Sequence, residues 1–327
     1  MTTYKEVFGK YVRSVSSDPP TALGTGEIWY NTSSNTFKTV GFNFAWSSGG
    51  GTPEGGYGFM GAGTQTAGLL WGGRAGGIYS ATAEYNGSSW TGGGAYPQAI
   101  VEGGGTGTQT AALSVGGLNP ASPPAYTNGY EYNGSSWGSE AALGRQGFGV
   151  RLNGTQASAI ATGGGPTGGS TTTDTELYNG SSYTAGSSFS QQRSFHASGG
   201  ASETSSIIVG GRQNPGEAST NSVETLDGTS WTTATVYPTT IKENQGWGAA
   251  NDFIEAGGNV PGITTACNVY NGTSWTSTAA MSNGRSSAGT SANFSSSIGF
   301  IAGGSPGSPS VTEEFTGTAA VKTVTTS

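Results

Sequence analysis

One short phrase returns six times between Tyr85 and Phe315: an aromatic residue or Leu, a turn, Ser or Thr, and usually a closing Trp. It reads Tyr85-Asn86-Gly87-Ser88-Ser89-Trp90, then Tyr132 to Trp137 and Tyr178 to Tyr183. It continues with Leu226 to Trp231 and Tyr270 to Trp275, and decays to Phe315-Thr316-Gly317-Thr318. Successive copies start 47, 46, 48, 44 and 45 residues apart. A fixed period of that size marks an array of one supersecondary unit.

A second marker keeps the same beat. Apolar runs end in paired glycines that begin at Gly72, Gly116, Gly163, Gly210, Gly257 and Gly303. Short β-branched and aromatic runs broken by Gly, Asn and Ser read as strands and turns. Asn-Gly suits a two-residue hairpin turn with both residues at positive φ, which would set the aromatic and the Trp on adjacent antiparallel strands. The paired glycines give the preceding strand an exit that a side chain would block. Four strands of roughly 5–6 residues each, plus ordinary connections, fill the unit. The expected fold is therefore all-β: a six-bladed propeller of four-stranded antiparallel blades.

On these residues the unit resembles the kelch family. Its blades carry paired glycines after the second strand, a Glu-x-Tyr stretch in the third and a Trp in the fourth. The counterparts are the glycine pairs, Glu84-Tyr85 and Glu131-Tyr132, and the Trp positions above. The stretch Trp275 to Arg285, with Met281, is similar to a kelch inter-blade segment, and Arg145 and Arg193 sit alike. The second and fifth blades have no Arg there, the turns are short, charge is sparse, and the final Trp is missing. The resemblance covers about residues 51–327, the expected propeller domain, with 1–50 as a separate attachment module.

Composition narrows the function. Gly is 60 of 327 residues and only 9% are charged, which invites a disordered reading, but 10% are aromatic and fall on a period. A net charge of −7 with no basic patch argues against nucleic acid. No apolar run is long enough to span a bilayer. Residues 1–17 carry Lys5, Lys10 and Arg13 but no apolar core, so no secretory signal is expected there. The single Cys267 has no internal disulfide partner and reads as a small residue on the third strand of the fifth blade.

The N-terminal module differs from the rest. Glu27 to Asn31 and Thr36 to Val40 flank a Thr-Ser-Ser-Asn turn, and Trp46 closes the unit. This is similar to a hairpin module of tail fibres and other virion proteins of tailed bacteriophages. Phe42 to Trp46 also falls near the period, so it reads either as part of that module or as an outer strand of the last blade. Tyr4 to Val15 fits one face of a short helix or an extended arm. For the last blade, Val311 to Phe315 supplies the third strand, and Ala319 to Thr326 is expected as the fourth.

The long, varied loops share one face of the disc: 118–128, 166–173, 212–221, 259–265 and 305–310. Binding concentrates on such loops over a rigid scaffold. The candidate ligand-binding residues there are Arg74, Tyr79, Tyr96, Asn119, Tyr126, Arg212, Asn214 and Tyr237. No catalytic residue, metal site or cofactor is expected. His196 stands alone without a flagged nucleophile or acid, and reads as a packed strand residue. The Asp227-Gly228 turn is similar to the Asp-box of sialidase propellers, but it parallels Asn-Gly in the sister blades, and no arginine cluster at the ring centre is evident. The Gly-rich runs at 103–107 and 163–169 lack the setting and the Lys of a phosphate loop.

The resemblances imply a non-enzymatic structural protein of a tailed-phage virion, displayed on the particle exterior. Residues 1–50 would attach to other virion proteins, and the propeller would serve as a tail-fibre receptor-binding protein, meeting a host-surface glycan or protein, by analogy as a homo-oligomer. The alternatives are a capsid or tail decoration protein, or a carbohydrate-active enzyme on a propeller scaffold with carboxylates converging at the central mouth.

Overall fold

A computed structural model describes residues 12–21, 27–122, 125–168, 170–214, 217–292, 294–307 and 309–324. Its regular elements are all β-strands. The chain divides into two compact units, Trp46–Phe315 and the paired segments Met1–Ala45 with Thr316–Ser327. The boundaries thus fall a few residues before the expected division at 50, and the last twelve residues cluster with the N-terminal segment rather than with the repeats.

The larger unit is β-propeller-like, built of four-stranded antiparallel sheets. The first is Tyr57–Thr64, Ala67–Ala75, Thr82–Tyr85 and Trp90–Gly92, with the short strand Gly77–Ile78 added to its second strand. The second is Gly104–Thr108, Ala111–Val115, Gly129–Tyr132 and Trp137–Glu140. The third (Arg151–Thr155, Ser158–Thr162, Thr175–Tyr178, Tyr183–Ala185) repeats that order. So do the fourth (Ala197–Ser202, Ser205–Val209, Val223–Leu226, Trp231–Thr233) and the fifth (Gln245–Ala249, Asp252–Ala256, Cys267–Tyr270, Trp275–Ser277). The innermost strand of each packs on the innermost strand of the next, and Gly289–Thr290 packs on both the fifth sheet and the first.

The remaining sheet is completed from the other end of the chain. Gly289–Thr290 pairs with Ile298–Ala302, which neighbours the long strand Thr312–Thr323, which neighbours Thr36–Ser48. The fourth position beside residues 312–315 is therefore held by residues 46–48, not by the expected run from Ala319, of which residues 325 and 326 lie outside the described part. Trp46 packs on Phe315 at 5.0 Å between ring centroids, as Trp90 does on Tyr85 at 4.7 Å and Trp275 on Tyr270 at 4.9 Å. Its indole N–H donates to Ala279 O at 2.9 Å, as Trp231 donates to Ser187 O and Trp275 to Thr235 O, also at 2.9 Å. Trp46 is thus the closing Trp that the last repeat lacks in its own sequence.

Both glycines of all six pairs sit at positive φ, for example Gly72 at 67° and Gly73 at 87°. There is no room for a side chain either: a Cβ on Gly73 would stand 2.4 Å from the Phe59 ring. The Asn-Gly turns differ from expectation. Only the glycine is left-handed (Gly87, φ 91°), and Tyr85 pairs with Trp90 across a four-residue loop. Asn86 Oδ1 instead accepts from the amides of Ser88 and Ser89, so the side chain does the folding that a second left-handed residue would do. Asn133, Asn179, Asn271 and Asp227 repeat this.

The cores between sheets are mostly apolar, yet three arginines are tied into them. Arg193 bonds Glu224 at 2.6 Å with both side chains buried, Arg285 bonds Glu313 in the same way, and Arg145 reaches Glu176 at 3.3 Å. The second and fifth sheets, without that Arg, bury a tyrosine: Tyr96 contacts Ser114, and Tyr237 donates to Glu255.

In the smaller unit, Ile28–Asn31 pairs antiparallel with the first part of Thr36–Ser48, and Arg13–Val15 pairs parallel to Ile28–Asn31. Asp18 accepts from the Trp29 indole at 3.0 Å and the Asn31 amide at 2.6 Å, which holds its carboxyl below the ordinary range. Of the run Tyr4 to Val15, residues 4–11 lie outside the described part, and 13–15 are extended.

Candidate ligand-binding site

At the start of each innermost strand stands one residue at positive φ, two positions before the strand in five cases and its second residue in the first sheet: Gly58, Glu102, Gly149, Phe195, Glu243 and Ser287. Their backbones bond to one another in a closed circle. Glu102 N donates to Gly58 O at 2.9 Å, Gly149 N to Glu102 O at 2.9 Å and Phe195 N to Gly149 O at 3.0 Å. Glu243 N donates to Phe195 O at 2.8 Å, Ser287 N to Glu243 O at 3.0 Å, and Gly58 N returns to Ser287 O at 2.6 Å. This belt rings the end of the central channel at the starts of the inner strands, on the face of the long loops.

The left-handed conformation costs an L-residue roughly 1–2 kcal/mol, and two members of the belt are glycine. The other four keep a side chain there despite that strain, and strained positions held in place by their surroundings cluster at functional sites. Glu102 and Glu243 occupy the second and fifth places of six, opposite each other across the belt. Phe195 lies under two arginines, with the Arg212 guanidinium 4.5 Å and that of Arg151 5.8 Å from its ring, and meets Phe148 edge-on at 5.1 Å. Arg151 also donates to His196 O at 3.0 Å.

These charges govern one another. Burial pushes the Glu102 carboxyl upward, opposed by Arg151 and, more weakly, by Arg74 and Arg212, with Glu243 adding to the rise. Burial lowers Arg151 to about 10, and Glu102 and Glu243 resist that fall. In a chain with 9% charged residues, three arginines and two glutamates meet at one place. The sequence reading finds no such arginine cluster; it forms only when the third sheet starts at Arg151 and the chain places Arg74 near the end of the second strand of the first sheet and Arg212 just beyond that of the fourth.

The channel itself is narrow. Its two cavities measure about 60 Å³, lined among others by Arg151, Asn153, Gln245 and Trp247, and about 50 Å³, lined by Glu102, Arg151 and Phe195. Such volumes have room for only a few waters, whereas pockets for organic ligands run to about 300–1,000 Å³. A larger concavity of about 610 Å³ lies on the same face, lined by Tyr57, Arg74, Ala75 to Ile78, Pro120 and Ala121. Tyr57 adjoins Gly58 of the belt, and the Arg74 guanidinium stands 5.0 Å from the Tyr57 ring centroid. The groove offers one aromatic face, one cation and bare backbone.

Of the expected binding residues, Arg74 and Arg212 reach this site. Tyr79 borders it, its hydroxyl tied to Ala75 O at 2.9 Å and Gly55 O at 3.3 Å. Asn119 caps a turn by accepting from Ala121 N, and Tyr126 packs half-buried against the core. The Asn214 amide donates to Thr171 Oγ1 on another loop. Tyr96 and Tyr237 are each 2% exposed and serve the core, out of a ligand's reach. The sequence reading missed Tyr57, Glu102, Arg151, Phe195 and Glu243. The signal was present: the belt residues stand 14 to 16 positions before the first glycine of each pair.

His196 is fully buried, bonded through Nε2 to Thr162 Oγ1 at 2.9 Å, and burial and the neighbouring arginines hold it well below its ordinary value. Among the described residues no group of three or more His, Cys, Asp or Glu is placed to hold a metal ion, and no helix is long and apolar enough to cross a membrane.

No protein-family model matches the chain. No curated protein matches it in sequence. Solved structures do: a structure described as "Structure of YjhT" is similar over 83% of this chain and 99% of its own, with a TM-score of 0.66 and 14% identity. In all, 241 solved chains match, so the likeness speaks for the fold and leaves function to the site.

Proposed function

We propose that the chain is a non-enzymatic receptor-binding protein of a tailed-phage virion, a six-bladed kelch-like propeller whose long-loop face binds a host-surface glycan. The hairpin of residues 28–40 belongs to the attachment module that joins other virion proteins, and the phage assignment rests on that hairpin's resemblance. The single observation that carries the binding reading is the belt: Glu102, Phe195 and Glu243 keep strained, left-handed backbone while facing Arg74, Arg151 and Arg212 beside an open groove. An aromatic face with fixed cations and carboxylates suits a sugar's apolar face and its hydroxyls. The test is twofold. Purified virions should contain the chain by mass spectrometry, and labelled protein should bind host cells, with Arg74→Ala weakening that binding about tenfold, or roughly 1.4 kcal/mol. Absence from virions removes the virion role, and unchanged binding by Arg74→Ala removes the site.

A second reading, a carbohydrate-active enzyme, is favoured by the paired carboxylates Glu102 and Glu243. Against it stands the narrowness of the channel they border. Turnover of host polysaccharide that Glu102→Gln abolishes would favour the enzyme. Decoration of capsid or tail without host contact would leave cell binding absent altogether.

A further inference from the structure

The repeats provide an internal control for each seam between sheets. At three seams a tyrosine hydroxyl crosses to a glutamate of the preceding sheet: Tyr85 to Glu314 at 2.6 Å, Tyr132 to Glu84 at 2.6 Å, and Tyr178 to Glu131 at 3.0 Å. At the same seams a glutamine from the first turn clamps the preceding sheet. Gln109 Nε2 donates to Gly68 O and Tyr85 O at 2.9 and 2.8 Å, and Gln156 Nε2 to Ala112 O and Tyr132 O at 3.1 and 3.0 Å. Gln65 likewise donates to Phe315 O at 3.3 Å.

The seam between the fourth and fifth sheets keeps the tyrosine and loses both partners. Thr225 stands where the glutamate would be, and Ala250 stands where the glutamine would be. Tyr270 turns its hydroxyl to Gly272 O of its own turn, at 3.0 Å. At the two remaining seams an apolar pair takes the latch positions, Leu177 with Leu226 and Val269 with Phe315. Where the two truncations coincide a groove of about 500 Å³ opens, lined by Thr225, Asp227, Thr235, Ala250, Asn251 and Tyr270 among others. It lies among the tight turns, on the face opposite the belt.

We propose that this groove is a second binding site, for a neutral carbohydrate. Its size falls in the range of ligand pockets. The Tyr270 hydroxyl already donates to Gly272 O and keeps its acceptor capacity, and the shorter side chains at 225 and 250 leave room beside it for a sugar's hydroxyls. The lining holds threonine hydroxyls, one carboxamide and the edge of a tyrosine, and no cation. Asp227 Oδ1 is already engaged by the amides of Thr229 and Ser230, both at 3.0 Å, and the carboxylate disfavours an anionic ligand. This site stands apart from the belt and does not depend on the reading given for it.

The test is saturation-transfer NMR on the full chain with glucose, galactose, N-acetylglucosamine and maltotriose as probes, with amide shifts recorded. At least one probe should bind and shift the amides of 225–227 and 233–235. Thr225→Glu with Ala250→Gln rebuilds the latch and clamp seen at Tyr132, and should weaken binding at least about tenfold without lowering the thermal midpoint. Arg74→Ala should leave this binding unchanged, which separates it from the loop-face site. Should the double variant fail to fold, Asn251→Ala with Thr235→Val decides by the same amide shifts. Failure of every probe to shift those amides, or undiminished binding by the rebuilt seam, would overturn the proposal.

Discussion

Glu255 has no exposed surface, and its carboxyl is held well above the ordinary value of 4.5, chiefly by burial. Tyr237 donates to Oε2, while Oε1 and the nearby Asn244 Oδ1 both lack a donor. Burial favours the protonated carboxyl. The folded chain therefore keeps that proton to a higher pH than the unfolded chain does. The stability it contributes is full below about pH 4.5 and is lost as pH rises toward the folded value, by at most roughly 1.4 kcal/mol per pH unit. Urea unfolding across pH 4 to 8 should show Glu255→Gln losing less stability on the alkaline side than the parent; identical profiles would contradict this. Arg193 is a different case, because it forms a buried ion pair with Glu224. Arg193→Met strands that carboxylate and should cost about 3–5 kcal/mol in the same assay, whereas an exposed arginine would cost almost nothing. Arg145, Arg193 and Arg285 were legible in the sequence because they recur at a fixed place beside the repeat. Glu102 and Glu243 were harder to read: their spacing from the glycine pairs marks a repeat position, but no neighbour in sequence reveals that six backbones converge there.

At the scale of elements, strand identity and order followed from glycine pairs and aromatic spacing, and these chemistries act locally. The closing strand of the last sheet did not, because pairing between residues 46–48 and 312–315 is a long-range contact with no local signature. Phe42 to Trp46 carried the right period, yet an aromatic run also fits a free hairpin. Trp46 now has the contacts of its sister tryptophans, to Phe315 and to Trp247 at 6.2 Å. Trp46→Ala should destabilise by roughly 3 kcal/mol in denaturant titration. The same change to Phe42, which is exposed, should cost under about 0.5 kcal/mol. Equal effects would mean that Trp46 does not close the sheet. The Asn-Gly turns show a second limit: the dipeptide located the turn correctly, but the side chain's own hydrogen bonds chose a four-residue loop over the two-residue type.

For the whole molecule, the account rests on circular closure of the larger unit. Four left-handed side chains, the narrow channel and the charged mouth all depend on six backbones joined end to end. Hydrogen exchange reads this most directly, at the amides of Gly58, Glu102, Gly149, Phe195, Glu243 and Ser287. If the belt is closed, all six exchange only through global unfolding, at one common free energy equal to that from denaturant titration. Fast, loop-like exchange at any of the six would show that the circle is open there, and the account of the fold and of its binding face would fail with it.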